Sequence, residues 1–130
     1  MHVAVDIIIQ RGDQFLFIRR KSPPFEGELA LPGGFVELNE TVEDAACREL
    51  REETNVTVSP DKLRLVGVFS APRRDPRSRV ISIAFHAVVP PSTFAIAGDD
   101  AERTLWLSKD EIQSRRDELA FDHAAIMRAL

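Results

Sequence analysis

Hydrophobic positions alternate at the start of the chain. Val3, Val5, Ile7 and Ile9 interleave with Ala4, Asp6 and Ile8, and after a turn at Arg11-Gly12-Asp13 the apolar run Phe15-Leu16-Phe17-Ile18 follows. The pattern predicts a hairpin of two largely buried strands. Ser22-Pro23-Pro24-Phe25-Glu26-Gly27 is a loop by its prolines and glycine, and a short Leu29-Ala30-Leu31 stretch leads into Pro32-Gly33-Gly34, where the backbone is expected to need conformations that glycine adopts easily. A helix of three to four turns is expected next, from Thr41 to Thr54. Thr41 is its cap, with Asp44 three residues on, and Asn55 is its left-handed end.

Leu63 to Phe69 and Val80 to Val89 are apolar and β-branched enough for strands, separated by an arginine-rich loop with Pro72 and Pro76. A second loop, Pro90 to Glu102, precedes a short strand at Leu105-Trp106-Leu107. Ser108 is expected to cap a helix opening at Lys109, and Asp122 to cap a last one from His123 to Leu130. Strands interleaved with helices predict an α/β fold: a central mixed β-sheet covered on both faces, an α/β/α sandwich.

With 130 residues, 44% of them apolar, the chain suits one core, so a single domain over 1–130 is expected. The formal net charge is −4, and the arginines are dispersed among acids rather than gathered in a polybasic block, which argues against a nucleic-acid partner. Cys47 is the single cysteine; no intrachain disulfide or thiolate metal cluster is available, and a reducing cytoplasm is the expected location. No apolar run approaches the roughly 18 residues of a membrane span, and the N-terminus lacks the layout of a signal peptide.

The chemistry lies in the acids of the first helix. At about 100° per residue, Glu49, Glu52 and Glu53 share one narrow sector with Val42, Ala45 and Ala46, so this is not an ordinary solvated face. Glu49 and Glu53 are like charges at i and i+4, a penalty of about 0.2 to 0.5 kcal/mol, whereas Arg48 stands four residues from both Asp44 and Glu52. Clustered carboxylates behind a glycine turn suit a hard cation, Mg²⁺, Mn²⁺ or Ca²⁺, of which Mg²⁺ is expected with Mn²⁺ as the alternative. Such an ion offsets the charge of a diphosphate, while a glutamate of the same face can take a proton from water.

These residues resemble the Nudix box, G-x5-E-x7-R-E-U-x-E-E-x-G-U with U bulky and aliphatic. Gly34, Glu40, Arg48, Glu49, Leu50, Glu52, Glu53 and Val56 match it, and Asn55 stands at the second glycine. The resemblance implies a Nudix-type sandwich and metal-dependent hydrolysis of a nucleoside diphosphate linked to another moiety. It implies Glu49, Glu52 and Glu53 as metal ligands that include a base, the Gly33 carbonyl as a backbone ligand, Arg48 as the residue orienting the glutamates and Glu40 as structural. Glu37 is a candidate for contact with metal or substrate.

The motifs at Ser22 to Gly27, Arg74-Asp75-Pro76-Arg77, Gly98 to Ala101 with Trp106, and Leu119 to His123 resemble the ADP-ribose pyrophosphatase branch. This implies cleavage of ADP-ribose to AMP and ribose 5-phosphate. A nucleoside triphosphate or damaged-nucleotide pyrophosphohydrolase and a non-catalytic ADP-ribose sensor stay open as alternatives. Arg19, Arg74 and Arg77 are candidate substrate contacts through guanidinium forks, although a solvated loop reads almost equally well for Arg73 to Arg79. Asp100, with Asp99, supplies a further metal ligand or the base, or else only a cap or turn. Core is expected for most aromatics, Phe25 being the exception that can stack on a base. His2, His86 and His123 lack metal-ligand spacing and are expected to be unspecialised. Homodimerisation through the N-terminal strands or nearby loops is a further implication of the likeness.

Overall fold

A computed structural model of the chain describes residues 1–98 and 101–130. The elements run β1 (His2–Arg11), β2 (Gln14–Arg20), β3 (Leu29–Ala30), β4 (Gly33–Phe35), α1 (Val42–Thr54), β5 (Arg64–Phe69), β6 (Val80–Val88), β7 (Ala101–Ser108), α2 (Lys109–Ser114) and α3 (His123–Arg128), with single 3₁₀ turns at Pro60–Lys62 and Arg116–Glu118. The strands form one seven-stranded sheet with β3, β2, β1, β6 and β5 side by side; β4 pairs with β1, and β7 with β2.

β1 is the axis. Its far end meets β2 in the expected hairpin, at Gln10↔Phe15. Its near end carries β4 antiparallel, with Ala4↔Phe35, Val5↔Gly34 and Asp6↔Gly33. Along its other edge it runs parallel to β6 from His2↔Val80 to Gln10↔Val88. The sheet is therefore mixed.

The alternation in β1 sorts its side chains between two layers. Val5, Ile7 and Ile9 pack with Ala45, Ala46 and Leu50 of α1, whereas Ile8 packs on the other face with Phe15, Phe17, Ile112 of α2 and Ile126 of α3. Helices cover both faces, as the α/β/α expectation requires. Burying a large aliphatic side chain contributes about 1.5–3 kcal/mol, so these two layers hold the sheet that carries the site.

Several elements differ from expectation: α3 ends at Arg128 rather than Leu130, and Gly33–Phe35 is a strand rather than the expected turn. β7 is longer than Leu105–Leu107, because pairing with β2 extends through Thr104, Arg103 and Ala101; polar residues are held there by a neighbouring strand's ladder rather than by their own hydrophobicity. Asp122 precedes α3 but makes no side-chain cap; its carboxylate is taken by Arg74 at 2.7 and 3.0 Å, a stronger partner than a backbone N–H. Among the described residues no helix is long and apolar enough to cross a membrane.

Candidate active site

The helix bearing the acids is locally determined. Thr41 Oγ1 accepts the Asp44 N–H at 3.0 Å, and Asn55 closes the helix in the left-handed region at φ 59° with its N–H on the Arg51 carbonyl. Ala45, Ala46 and Leu50 are buried against β1. That contact turns Glu49, Glu52 and Glu53 toward β4 and into an open cavity of about 430 Å³, lined also by Asp6, Arg20, Gly33, Gly34, Arg48, Arg74, Asp75, Arg77, Phe121 and His123.

Arg48 is the hub of the acidic wall. Its Nη1 donates to Glu49 Oε1 and Glu52 Oε1, each at 2.7 Å, while Nη2 and Nε reach the two oxygens of Glu40 at 2.6 and 3.0 Å. Glu40 also accepts the Glu37 N–H at 2.8 Å, fixing the turn before the helix. Arg48 holds the Glu40 carboxyl below its ordinary value. Burial pushes the Glu49 carboxyl up, and repulsion from Glu52 and Glu40 adds to burial against the pull of Arg48.

The glycines are required by contact rather than by backbone angle. Gly33 and Gly34 lie in β4 and are not among the residues with positive φ, which among glycines are Gly12 and Gly27. The expected special conformation is therefore absent. A Cβ on Gly33 would run into the Val5 carbonyl and lie 2.7 Å from Asp6 Oδ1, and one on Gly34 would lie 2.5 and 2.6 Å from the Glu49 carboxylate oxygens. Gly33 donates its N–H to Glu53 Oε1 at 2.8 Å, so strand and acid are tied directly.

Hard carboxylate oxygens lining this cavity fit a divalent ion in donor chemistry. Among the described residues no group of three or more His, Cys, Asp or Glu side chains is arranged to hold a metal. Arg48 Nη1 lies between Glu49 and Glu52, and Glu53 is turned to Gly33.

A second, basic wall comes from the loop after β5 and from β2. Arg74 is almost wholly buried; it grips Asp122 bidentately and approaches Asp6 Oδ2 at 3.6 Å. Arg77 is half-exposed, its Nε and Nη2 on the two oxygens of Asp75 at 3.0 and 2.7 Å. Burial opposes the charge of Asp75, but the bonds from Arg77 hold it below the ordinary carboxylate range. Arg74 and Asp75 are buried in this loop, while Arg73 and the stretch from Pro76 to Ser78 are exposed.

Arg19 is not brought to the cavity. Its Nη1 donates to the Gly27 carbonyl at 2.6 Å, and Arg20 lines the pocket together with Ile18, because neighbouring residues of a strand face opposite sides. Glu37 stays largely exposed, 3.9 Å from Arg48 Nη1. Phe25 touches Phe121 edge-on at 4.8 Å at the rim. Phe35 departs from the core expectation: it is exposed beside the cavity, with Arg77 5.1 Å from its ring centre. Asp99 and Asp100 lie outside the described residues.

Asp6 and His123 were not among the expected site residues. Asp6 sits on the cavity floor, where it takes hydrogen bonds from Ser82 Oγ and from His123 Nε2 at 3.2 Å. Burial works against its charge, and His123, Ser82 and Arg74 overcome it, holding the carboxyl below its ordinary value. One signal was visible in the chain: a lone acid in a buried apolar strand must have partners.

A sheet between helical layers, with an acidic helix seated on a glycine strand, frames the site, and the NUDIX domain profile matches residues 1–130. The chain belongs to the NUDIX family. It is 46% identical over 126 residues to the ADP-ribose pyrophosphatase of Methanocaldococcus jannaschii, a match covering 97% of this chain and 70% of that protein. Among solved structures, a MutT/nudix family protein from Enterococcus faecalis superposes with a TM-score of 0.88 at 34% identity, over 98% of this chain and 60% of that one. A bifunctional NMN adenylyltransferase/ADP ribose pyrophosphatase from Francisella tularensis, complexed with AMP and manganese, gives 0.87 at 33% identity, over 98% and 40%. The chain thus spans less than two thirds of either solved relative.

Proposed function

We propose that this chain, acting as one domain over residues 1–130 in the cytoplasm, hydrolyses ADP-ribose to AMP and ribose 5-phosphate with Mg²⁺, Mn²⁺ substituting. The observation that carries the reading is the pairing, within one cavity, of the acidic helix of the family with the guanidinium groups of Arg74 and Arg77. The 46% identity to an ADP-ribose pyrophosphatase supports the choice of substrate.

Glu49, Glu52, Glu53 and Gly33 would hold the ion. When bound, it supplies Lewis-acid stabilisation of charge on the diphosphate oxygens. Arg48 sets the spacing of Glu49 and Glu52 and returns the Glu40 turn to the helix. A carboxylate of the same face accepts the proton that the attacking water gives up. Arg74 and Arg77, each already anchored to an aspartate, present oriented N–H groups to the phosphates and ribose without ordering a free side chain. Phe25, Phe35 and Phe121 offer ring surface at the rim for the base.

The test is a panel of nucleoside diphosphate derivatives and nucleoside triphosphates with Mg²⁺ or Mn²⁺, products identified by chromatography. AMP and ribose 5-phosphate from ADP-ribose are expected, abolished by EDTA and strongly reduced in Glu53→Gln. Pyrophosphate with a nucleoside monophosphate would replace the reading by triphosphate hydrolysis. Tight ADP-ribose binding without turnover under any divalent ion would replace it by a sensor.

A further inference from the structure

Asp6 and His123 are both buried, and neither has a part in the chemistry proposed above. His123 Nδ1 accepts the Leu31 N–H at 2.9 Å. An accepting ring nitrogen carries no proton, so the ring N–H is at Nε2, directed at Asp6 Oδ1 3.2 Å away. The tautomer is fixed by these two partners.

Follow the backbone from Leu31 to Gly33. The Leu31 N–H goes to His123, the Pro32 carbonyl accepts the Ile7 N–H at 2.9 Å, and the Gly33 N–H goes to Glu53 at 2.8 Å. Pro32 has no N–H to place. The turn is therefore held from the α1 side by Glu53 and from the α3 side by His123, with β1 between them. Asp6 is also the register partner of Gly33. The approach of α3 is itself prepared by the chain before it, since the Ala120 N–H bonds the Leu29 carbonyl at 2.7 Å and the His123 N–H the Ala120 carbonyl at 3.1 Å.

We propose that His123 is a positioning residue. Through Nδ1 it holds the Leu31–Gly33 backbone, and with it the bond from Gly33 to Glu53, two groups that would hold the divalent ion, and Asp6 serves it by fixing the ring's tautomer and orientation. The inference rests on the metal-dependent reading above. Partners that orient metal ligands from outside their own shell typically change affinity or activity by about 10–100-fold when lost.

Two substitutions separate the two bonds of the ring. His123→Asn places an amide oxygen near the Nδ1 position, keeping the acceptor for Leu31 and withdrawing from Asp6. His123→Gln carries its amide nitrogen toward the Nε2 position, keeping the donor to Asp6 and giving up the acceptor for Leu31. Mn²⁺ affinity is read by electron paramagnetic resonance titration without substrate, Leu31 amide exchange by NMR, and kcat and KM with ADP-ribose.

His123→Asn is expected to stay within about threefold of the parent in Mn²⁺ affinity and kcat, and His123→Gln to lose at least about tenfold in both. The loss in His123→Gln should fall on kcat rather than KM, with faster exchange at Leu31. A His123→Gln protein matching the parent, or equal losses in both variants, would overturn the proposal while leaving the metal-dependent reading intact. A parent chain that takes up no Mn²⁺ would overturn both.

Discussion

Alanine at Gly34 puts a methyl group where the Glu49 carboxylate rests. The added carbon would lie 2.5 Å from Glu49 Oε2, and ordinary contact begins at 3.4 Å, so the carboxylate withdraws by about 0.9 Å. The backbone there is extended and accepts alanine, and the obstructing atoms are the far end of a side chain with rotatable torsions. Stability should fall by no more than about 1.5 kcal/mol, the scale of one off-rotamer side chain. Activity should fall far more, since about 1 Å of misplacement in a reacting constellation costs roughly 100-fold, or about 2.7 kcal/mol of barrier. Gly33→Ala is the control with the opposite signature. Its Cβ meets the Val5 carbonyl in the central strand, which yields only by moving β1 against β4, so overpacking of about 3 kcal/mol or more is expected. Thermal melts and steady-state ADP-ribose hydrolysis on both variants decide it. If Gly34→Ala keeps kcat within threefold, or melts as low as Gly33→Ala, the geometric account of the glycine pair is refuted.

Arg48→Lys replaces a fork by a point charge that cannot reach Glu40, Glu49 and Glu52 together; kcat should drop about 10- to 100-fold, and a value within twofold would count against the hub. Asn55→Gly relieves a left-handed residue by at most about 1–2 kcal/mol but removes the 2.7 Å bond from Asn55 Nδ2 to the Ile96 carbonyl. Urea unfolding should therefore show little net change, with faster amide exchange in the segment around Ile96. For Asp6 the sign follows from its lowered folded value. Its charge stabilises the fold above the ordinary carboxyl value near 3.8, and the contribution is lost as pH falls toward the folded value, because the unfolded chain takes the proton first. Asp6→Asn should lack that part of the acid limb, and identical acid limbs in both proteins would contradict the assignment.

What was readable in the chain is what is settled locally or by period. α1 carries its own cap at Thr41 and its own stop at Asn55, and the period of 3.6 collects its glutamates, so helix and acids agree with the structure. β7 was underestimated because Ala101 to Thr104 owe their extension to β2, a partner more than 80 residues away. The choice between Arg19 and Arg20 was invisible for a related reason: Phe15 to Ile18 are buried on both faces, so no alternation reveals which arginine looks into the cavity. The glycine pair was recognised for the wrong cause, since its constraint lies in Val5 and Glu49 rather than in the turn. His123 bears on Leu31 and Asp6 from the far end of the chain, and no local spacing announces that.

The parallel pairing of β1 with β6 has a kinetic consequence. Every partner pair in that ladder lies about 80 residues apart, and closing such a loop costs on the order of 4 kcal/mol before the contacts within it form. Folding should consequently be slow for a domain of this size, with the central ladder completed late. The cavity draws on Asp6, Gly33, the glutamates of α1, Arg74 and His123, so it exists only once that ladder has closed. A bound ion or nucleotide can therefore prolong the life of the folded chain by slowing its opening, while the rate at which the chain folds stays unchanged.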